Sequence, residues 1–334
     1  MKTRICVVSA VLLFAVSLIF IERSIVAVSA QDSDFNRKVS QLGRDGETPA
    51  ILGQRDALRP FSTPQIESLL YQSNRYLQAL AIQELRHRGD LGSQEHIRRT
   101  WQGMSLEPED IRFDPHGPVS PDAAVFVASA EYLAASDKQD FIPKLLSRRE
   151  VWAAPHLFVA TFRELGEGWV RPAVAVVQDE RRRAALGYLL SVATTASNRE
   201  ELRQVLESDH SPTWEGAARA CEDVDDEVCW EALSASLADR DEAQQLLGRM
   251  IQFRKGRATA EQLFSAAEKA ARRTAPDESP GVRIKYLRKL IEFMGLSHWK
   301  RLSLPPSLIT ALGQTGSETI VNALAAANGV EHGR

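Results

Sequence analysis

After residue 30 the chain has no apolar run approaching the roughly 20 residues that cross a bilayer, so its bulk does not read as membrane-spanning. The motifs of the common enzyme classes are also missing. There is no Gly-x-Ser-x-Gly elbow, His-Glu-x-x-His pair, phosphate-cradling glycine loop or Cys-x-x-Cys-His run. Histidines 87, 96, 116, 156, 210, 298 and 332 are scattered, and none has another at the i+3 or i+4 spacing of helical metal ligands. They read as surface or half-buried side chains, and no metal or cofactor is expected. Cysteine is nearly absent, at three in 334 residues, and one of the three, Cys6, lies within the first thirty.

Those first thirty residues have a composition of their own. Lys2 and Arg4 precede an uncharged stretch from Ile5 to Ile21, and Glu22 and Arg23 are followed by Ala27-Val28-Ser29-Ala30, with small residues where a signal peptidase acts. The expectation is a secretory signal peptide cleaved after Ala30, which gives an extracytoplasmic product starting at Gln31. The alternative is an uncleaved N-terminal anchor, which would hold the same protein at a membrane. Removing residues 1–30 leaves 38 basic and 43 acidic side chains, a mildly acidic balance that selects no partner.

Cleavage leaves Cys221 and Cys229, and an even number of thiols in an oxidising compartment favours pairing. Eight residues of continuous helix rise about 12 Å, beyond the roughly 4.4–6.8 Å between Cα atoms that a disulfide accepts. A Cys221–Cys229 bridge therefore requires the helix to break in the acidic run 222–227, while two thiols on one helix is the alternative. That run lacks the ligand spacing of an EF-hand and reads as a solvated turn.

Helical periodicity dominates from Thr63 onward, where Thr63-Pro64 suits a cap and a first helical position. Ala243, Leu246, Leu247, Met250 and Ile251 mark one buried face, and Val282, Tyr286, Leu287, Leu290, Ile291 and Met294 a second. Ser197 with Glu200 gives a capping-box signature. The alternating run Ala173-Val174-Ala175-Val176-Val177 sits between helical neighbours and is read as helix too. About sixteen short helices and no strand are expected, so the fold class is all-α.

The helices come in pairs joined by tight polar turns. Segments Phe126–Leu146 and Phe158–Val177 align with an offset of 32 residues between Leu133 and Leu165. The segment Ala311–Val321, reading ALGQTGSETIV, ends one helix in Ala-Leu-Gly-x-x-Gly and opens the next after a small or acidic cap. Ala81–Asp90 follows the same logic, and Leu165–Gly168 more loosely. These segments resemble the HEAT repeat, in the short form found in phycobilin lyases. The resemblance implies a right-handed α-solenoid of stacked antiparallel helix pairs, with Gly89 and Gly316 in left-handed conformation. The expected organisation is a signal peptide (1–30), a mostly unstructured leader (31–61) with a short helix near Phe35–Leu42, a HEAT-like domain (62–330) with a seam at 109–121, and a short tail (331–334).

Functional expectations follow from what remains. Residues 199–248 hold 14 acids and 4 bases, and residues 249–301 hold 13 bases and 5 acids. Either the two stretches neutralise each other across neighbouring helices, or the basic one forms a patch for an anionic partner. Such a patch would comprise Arg283, Lys285, Tyr286, Arg288, Lys289 and Trp299, and would meet an acidic protein or an envelope polymer, with nucleic acid excluded by export. Asp114, His116 and Asp122, in and beside the proline-rich loop, could supply an acid, a base and an orienting carboxylate, which makes an all-helical envelope hydrolase or lyase the alternative. The leading expectation is a non-catalytic exported scaffold that binds a protein partner.

Overall fold

A computed structural model describes residues 33–42, 54–111, 119–207, 211–273, 281–296 and 304–331. The expected signal peptide, Asp114, His116, Trp299 and residues 332–334 lie outside the described residues. Among the described residues the chain is all-helical, with eighteen helices and no strand. It divides into two compact units, Met1–Phe141 and Ile142–Arg334, later in the chain than the seam expected at 109–121.

The first unit contains α1 (33–42), α2 (Thr63–Ser68), α3 (Arg75–His87), α4 (Gln94–Gly103) and α5 (Pro121–Ser136). Helix α6 (Lys138–Leu146) spans the boundary. The division falls late because α5 packs on α3 and α4 and so belongs with them. Trp101 of α4 stacks on Phe126 of α5 with ring centroids 5.5 Å apart and meets Phe141 edge-on at 4.9 Å. Asn74 caps α3 by accepting from the backbone amides of Tyr76 and Leu77, and α2 is entered one residue earlier than expected, from Ser62. Past α3, Gly89 adopts φ +64°, as does Gly316 near the chain end, so both tight turns use a conformation open to glycine at little cost. Asp90 then accepts from the amides of Gly92 and Ser93, and its own carbonyl accepts from the Tyr132 hydroxyl.

Residues 54–62 differ from the unstructured leader expected there. Leu58 is fully buried, and Arg88 binds the segment from the end of α3. Its guanidinium donates to the carbonyls of Phe61 (2.8 Å), Arg59 (3.1 Å) and Leu58 (3.2 Å), while its Nε lies 2.8 Å from the carboxylate of buried Glu84. Arg55 approaches the other Glu84 oxygen at 3.8 Å.

The second unit continues with α7 (Arg149–Ala153), α8 (Val159–Leu165), α9 (Val170–Val176), α10 (Glu180–Ala193), α11 (Arg199–Leu206) and α12 (Ser211–Val224). It ends with α13 (Glu227–Ser236), α14 (Glu242–Arg254), α15 (Ala260–Arg272), α16 (Val282–Leu296), α17 (Pro306–Gln314) and α18 (Glu318–Glu331). Helices pack on the next but one, α10 on α12, α12 on α14, α14 on α16 and α16 on α18, with α9 meeting α11, α11 meeting α13 and α15 meeting α17, and they also pack on chain neighbours, most extensively α14 on α15 and α11 on α12. All five apolar residues expected on one face of α14 are buried, as are Tyr286, Leu287, Leu290 and Ile291 of α16. Trp169, Trp214 and Trp230 are nearly or fully buried between successive helices.

Arginines tie neighbouring helix ends together. Arg163 donates to the Val192 carbonyl at 2.6 and 3.0 Å, and Arg240 to that of Leu206 at 2.9 Å. Each satisfies a last-turn carbonyl that the helix leaves without a partner of its own. The Ser197–Glu200 box does not form as expected. A short 3₁₀ turn, Ala196–Asn198, precedes α11, and the box is made instead by Asn198, which accepts from the Thr195 amide at 3.0 Å. The Asn198 amide also donates to the Gly166 carbonyl at 2.8 Å and so joins the α8–α9 turn to the start of α11.

Where α10 and α12 cross, two glycines meet. A Cβ on Gly216 would lie 2.1 Å from the carbonyl oxygen of Gly187 and 2.6 Å from its Cα. The backbones therefore approach more closely than any side chain at position 216 permits.

Candidate functional site

The charge reversal of the sequence is largely neutralised between helices. Three bases at and just past the end of α14 reach back to the acids on either side of the turn between α12 and α13: Arg254 to Glu222 at 2.7 Å, Lys255 to Asp225 at 3.6 Å and Arg257 to Glu227 at 2.9 Å. Asp226 faces Arg199 at 3.7 Å, and Glu242 receives Arg273 and Arg283 at 3.6 and 3.9 Å. The run 222–227 is thus a set of ion pairs, and no group of side chains suited to a metal ion occurs among the described residues. Asp225 takes φ +48° at the turn and accepts from the Trp230 indole at 2.9 Å. That hydrogen bond, with Lys255 and Arg257 nearby, holds its carboxyl below the ordinary value.

This pairing leaves a remainder. Among the described residues, Arg219, Lys285 and Lys289 have no carboxylate within ion-pair distance. Arg219 on α12 and Lys289 on α16 line a cleft of about 370 Å³ that they share with α14. Its buried lining is Leu247, Met250 and Tyr286, and its more accessible lining adds Arg254 and Glu292. The periodicity of α16 turns Tyr286 inward, where its hydroxyl donates to Glu215 of α12 and accepts from Arg219 at 3.5 Å. Burial and the Glu215 carboxylate push the Tyr286 phenol well above its usual value, so it stays protonated. Lys289 moves the opposite way. Partial burial, then the charges of Arg219, Lys285 and Arg254, pull its ammonium below the ordinary value against the attraction of Glu215. The cleft therefore carries uncompensated positive charge over an apolar base.

The patch expected on α16 is divided by this arrangement. Tyr286 and Lys289 line the cleft and Lys285 lies next to it, its ammonium 5.7 Å from the Tyr286 ring centroid. Arg288 is paired with Glu292 at 2.6 Å, and Arg283 turns to the α15 end, donating to the Arg273 carbonyl at 2.8 Å. Arg219, Leu247, Met250 and Arg254 were not expected at a site. Their only sequence signal is the helical period, which does not tell which distant helices share a groove. Of the residues proposed for acid–base chemistry, Asp122 stands in the first turn of α5 and pairs with Arg75 at 3.1 Å.

The helix does break between the two cysteines, α12 ending at Val224 and α13 beginning at Glu227, but the expected bridge is not formed. Both thiols are free and buried. Each sulfur also has a backbone acceptor: Cys221 Sγ donates to the Cys229 carbonyl at 3.6 Å and Cys229 Sγ to the Arg199 carbonyl at 3.8 Å. Hydrogen bonding with Cys229, together with burial, pushes the Cys221 thiol far above its usual range, so it is an unreactive neutral group. Maleimide labelling followed by mass measurement should leave both thiols unmodified in the folded protein and modify both after denaturation without reductant. A denatured chain that takes up no label would show that the bridge forms after all.

No protein-family profile, curated protein or solved structure matches the chain.

Proposed function

We propose that the protein is an exported, non-catalytic HEAT-like scaffold that binds another protein outside the cytoplasm. In this reading the signal peptide is cleaved after Ala30, and the helices of the second unit stack as antiparallel pairs in a right-handed α-solenoid. The observation that carries it is the alternate packing of α10, α12, α14, α16 and α18. These five helices share apolar surface with the next but one as well as with their chain neighbours, which is how repeat proteins extend a core by adding pairs. Left-handed Gly89 and Gly316, at the turns that resemble the repeat, support the same reading. Scaffolds of this kind present long surfaces to partners, so the step from fold to task is one of analogy.

Two measurements test it. The mass of the exported protein should correspond to a start at Gln31, and a retained N-terminus would replace the secreted scaffold with an anchored one. Photo-reactive residues at exposed positions of α12, α14 and α16 should give discrete heteromeric adducts in the producing cell. Repeated absence of any adduct outside the cytoplasm would overturn the scaffold reading.

A further inference from the structure

We propose that the cleft between α12, α14 and α16 receives an acidic peptide segment of the partner. One carboxylate is held by Arg219 and Lys289, and a neighbouring apolar side chain lies on Leu247 and Met250. The assignment deepens the scaffold reading and rests on it.

Charge complementarity is the first argument. Bases on either side of the cleft are neutralised by acids of adjacent helices, whereas Arg219, Lys285 and Lys289 are not. Arg219 is drawn partly out of water without a counter-ion, which is unfavourable until an anion supplies one, and the exposed ammonium of Lys289 beside it has none either. Arg219 gives only one bond, to Tyr286, so most of its guanidinium donors remain for a carboxylate, whose geometry suits that planar fork.

The lining narrows the class of ligand further. Buried Leu247 and Met250 offer apolar surface that a bare inorganic anion cannot use. Glu292 within the cleft and Glu215 beside it would repel a polymer of closely spaced phosphates, yet tolerate a segment whose carboxylates are set apart. At about 370 Å³ the cleft lies near the lower end of the roughly 300–1,000 Å³ of ligand pockets, room for a few side chains of an extended segment.

The test uses the exported full chain at low salt and three probes: an end-blocked peptide alternating glutamate and leucine, its glutamine–leucine counterpart, and inorganic polyphosphate. The glutamate peptide should bind saturably, with the glutamine peptide at least about tenfold weaker, and binding should weaken as salt rises. R219Q and K289Q should each weaken it about tenfold, while K269Q, outside the cleft, should leave it unchanged. Lys289 is exposed, so K289Q retains a folded protein even if R219Q does not. Equal binding of the two peptides, indifference to both variants, tighter binding of polyphosphate or no binding at all would each overturn the assignment. Loss of peptide binding in both variants while heteromeric adducts persist would overturn it alone. Cleft-dependent peptide binding with no heteromeric adduct would instead overturn the scaffold reading alone.

Discussion

Replacing Gly216 by alanine should cost the second unit about 3 kcal/mol or more of unfolding free energy, at the upper end of what overpacking exacts. The added methyl would stand 2.1 Å from the Gly187 carbonyl oxygen, and backbone cannot rotate away as a side chain can. Helices α10 and α12 would have to part, opening the packing around Trp214 and Leu190, both fully buried. The effect reverses the usual helical preference, under which glycine to alanine gains about 0.5–1 kcal/mol. Gly313 of α17 supplies the control, because it is exposed and a Cβ there meets nothing within 4 Å. Urea unfolding followed by tryptophan fluorescence should therefore move in opposite directions for G216A and G313A. A loss below about 1 kcal/mol for G216A would mean that the crossing can widen at little cost.

In the first unit the largest effect is expected at Arg88. R88M leaves Glu84, whose side chain is 2 % exposed, facing only Arg55 at 3.8 Å, and removes the arginine donor from the carbonyls of Leu58, Arg59 and Phe61. Breaking one side of a buried ion pair costs about 3–5 kcal/mol, mostly because the other charge stays buried. The single variant should lower stability by that amount and expose residues 54–62 to limited proteolysis. Replacing Glu84 by methionine as well removes the stranded charge, so the double variant should recover much of the loss. A double variant as unstable as R88M would locate the effect in the carbonyl contacts instead of the carboxylate.

These two positions mark how far the sequence can be read. Periodicity identified which face of α14 and α16 is buried, because a 3.6-residue repeat needs no knowledge of the partner. It could not tell that Gly216 faces Gly187, since glycine adds nothing to an apolar stripe and the meeting depends on two helices that are not adjacent in the chain. The basic stretch of 249–301 was visible as composition, yet its pairing is decided in space. Arg254, Lys255 and Arg257 find acids on the preceding helices, and the bases left unpaired at the cleft are Lys285 and Lys289 of that stretch together with Arg219, which lies outside it. Tyr286 belongs both to the apolar stripe of α16 and to the expected patch, and burial resolves it as lining of the cleft. The cysteine spacing required a broken helix only for a bridged pair; the helix breaks and the thiols stay free, an outcome that depends on where each sulfur points.

The helices that pack on the next but one begin at Glu180, Ser211, Glu242, Val282 and Glu318, so each finds its neighbour after only one intervening α-helix. Contact order is consequently low along this part of the chain, and little loop-closure entropy has to be lost before burial begins. A polypeptide delivered progressively from one end can therefore close each layer as soon as the following pair has arrived, without waiting for its C-terminus.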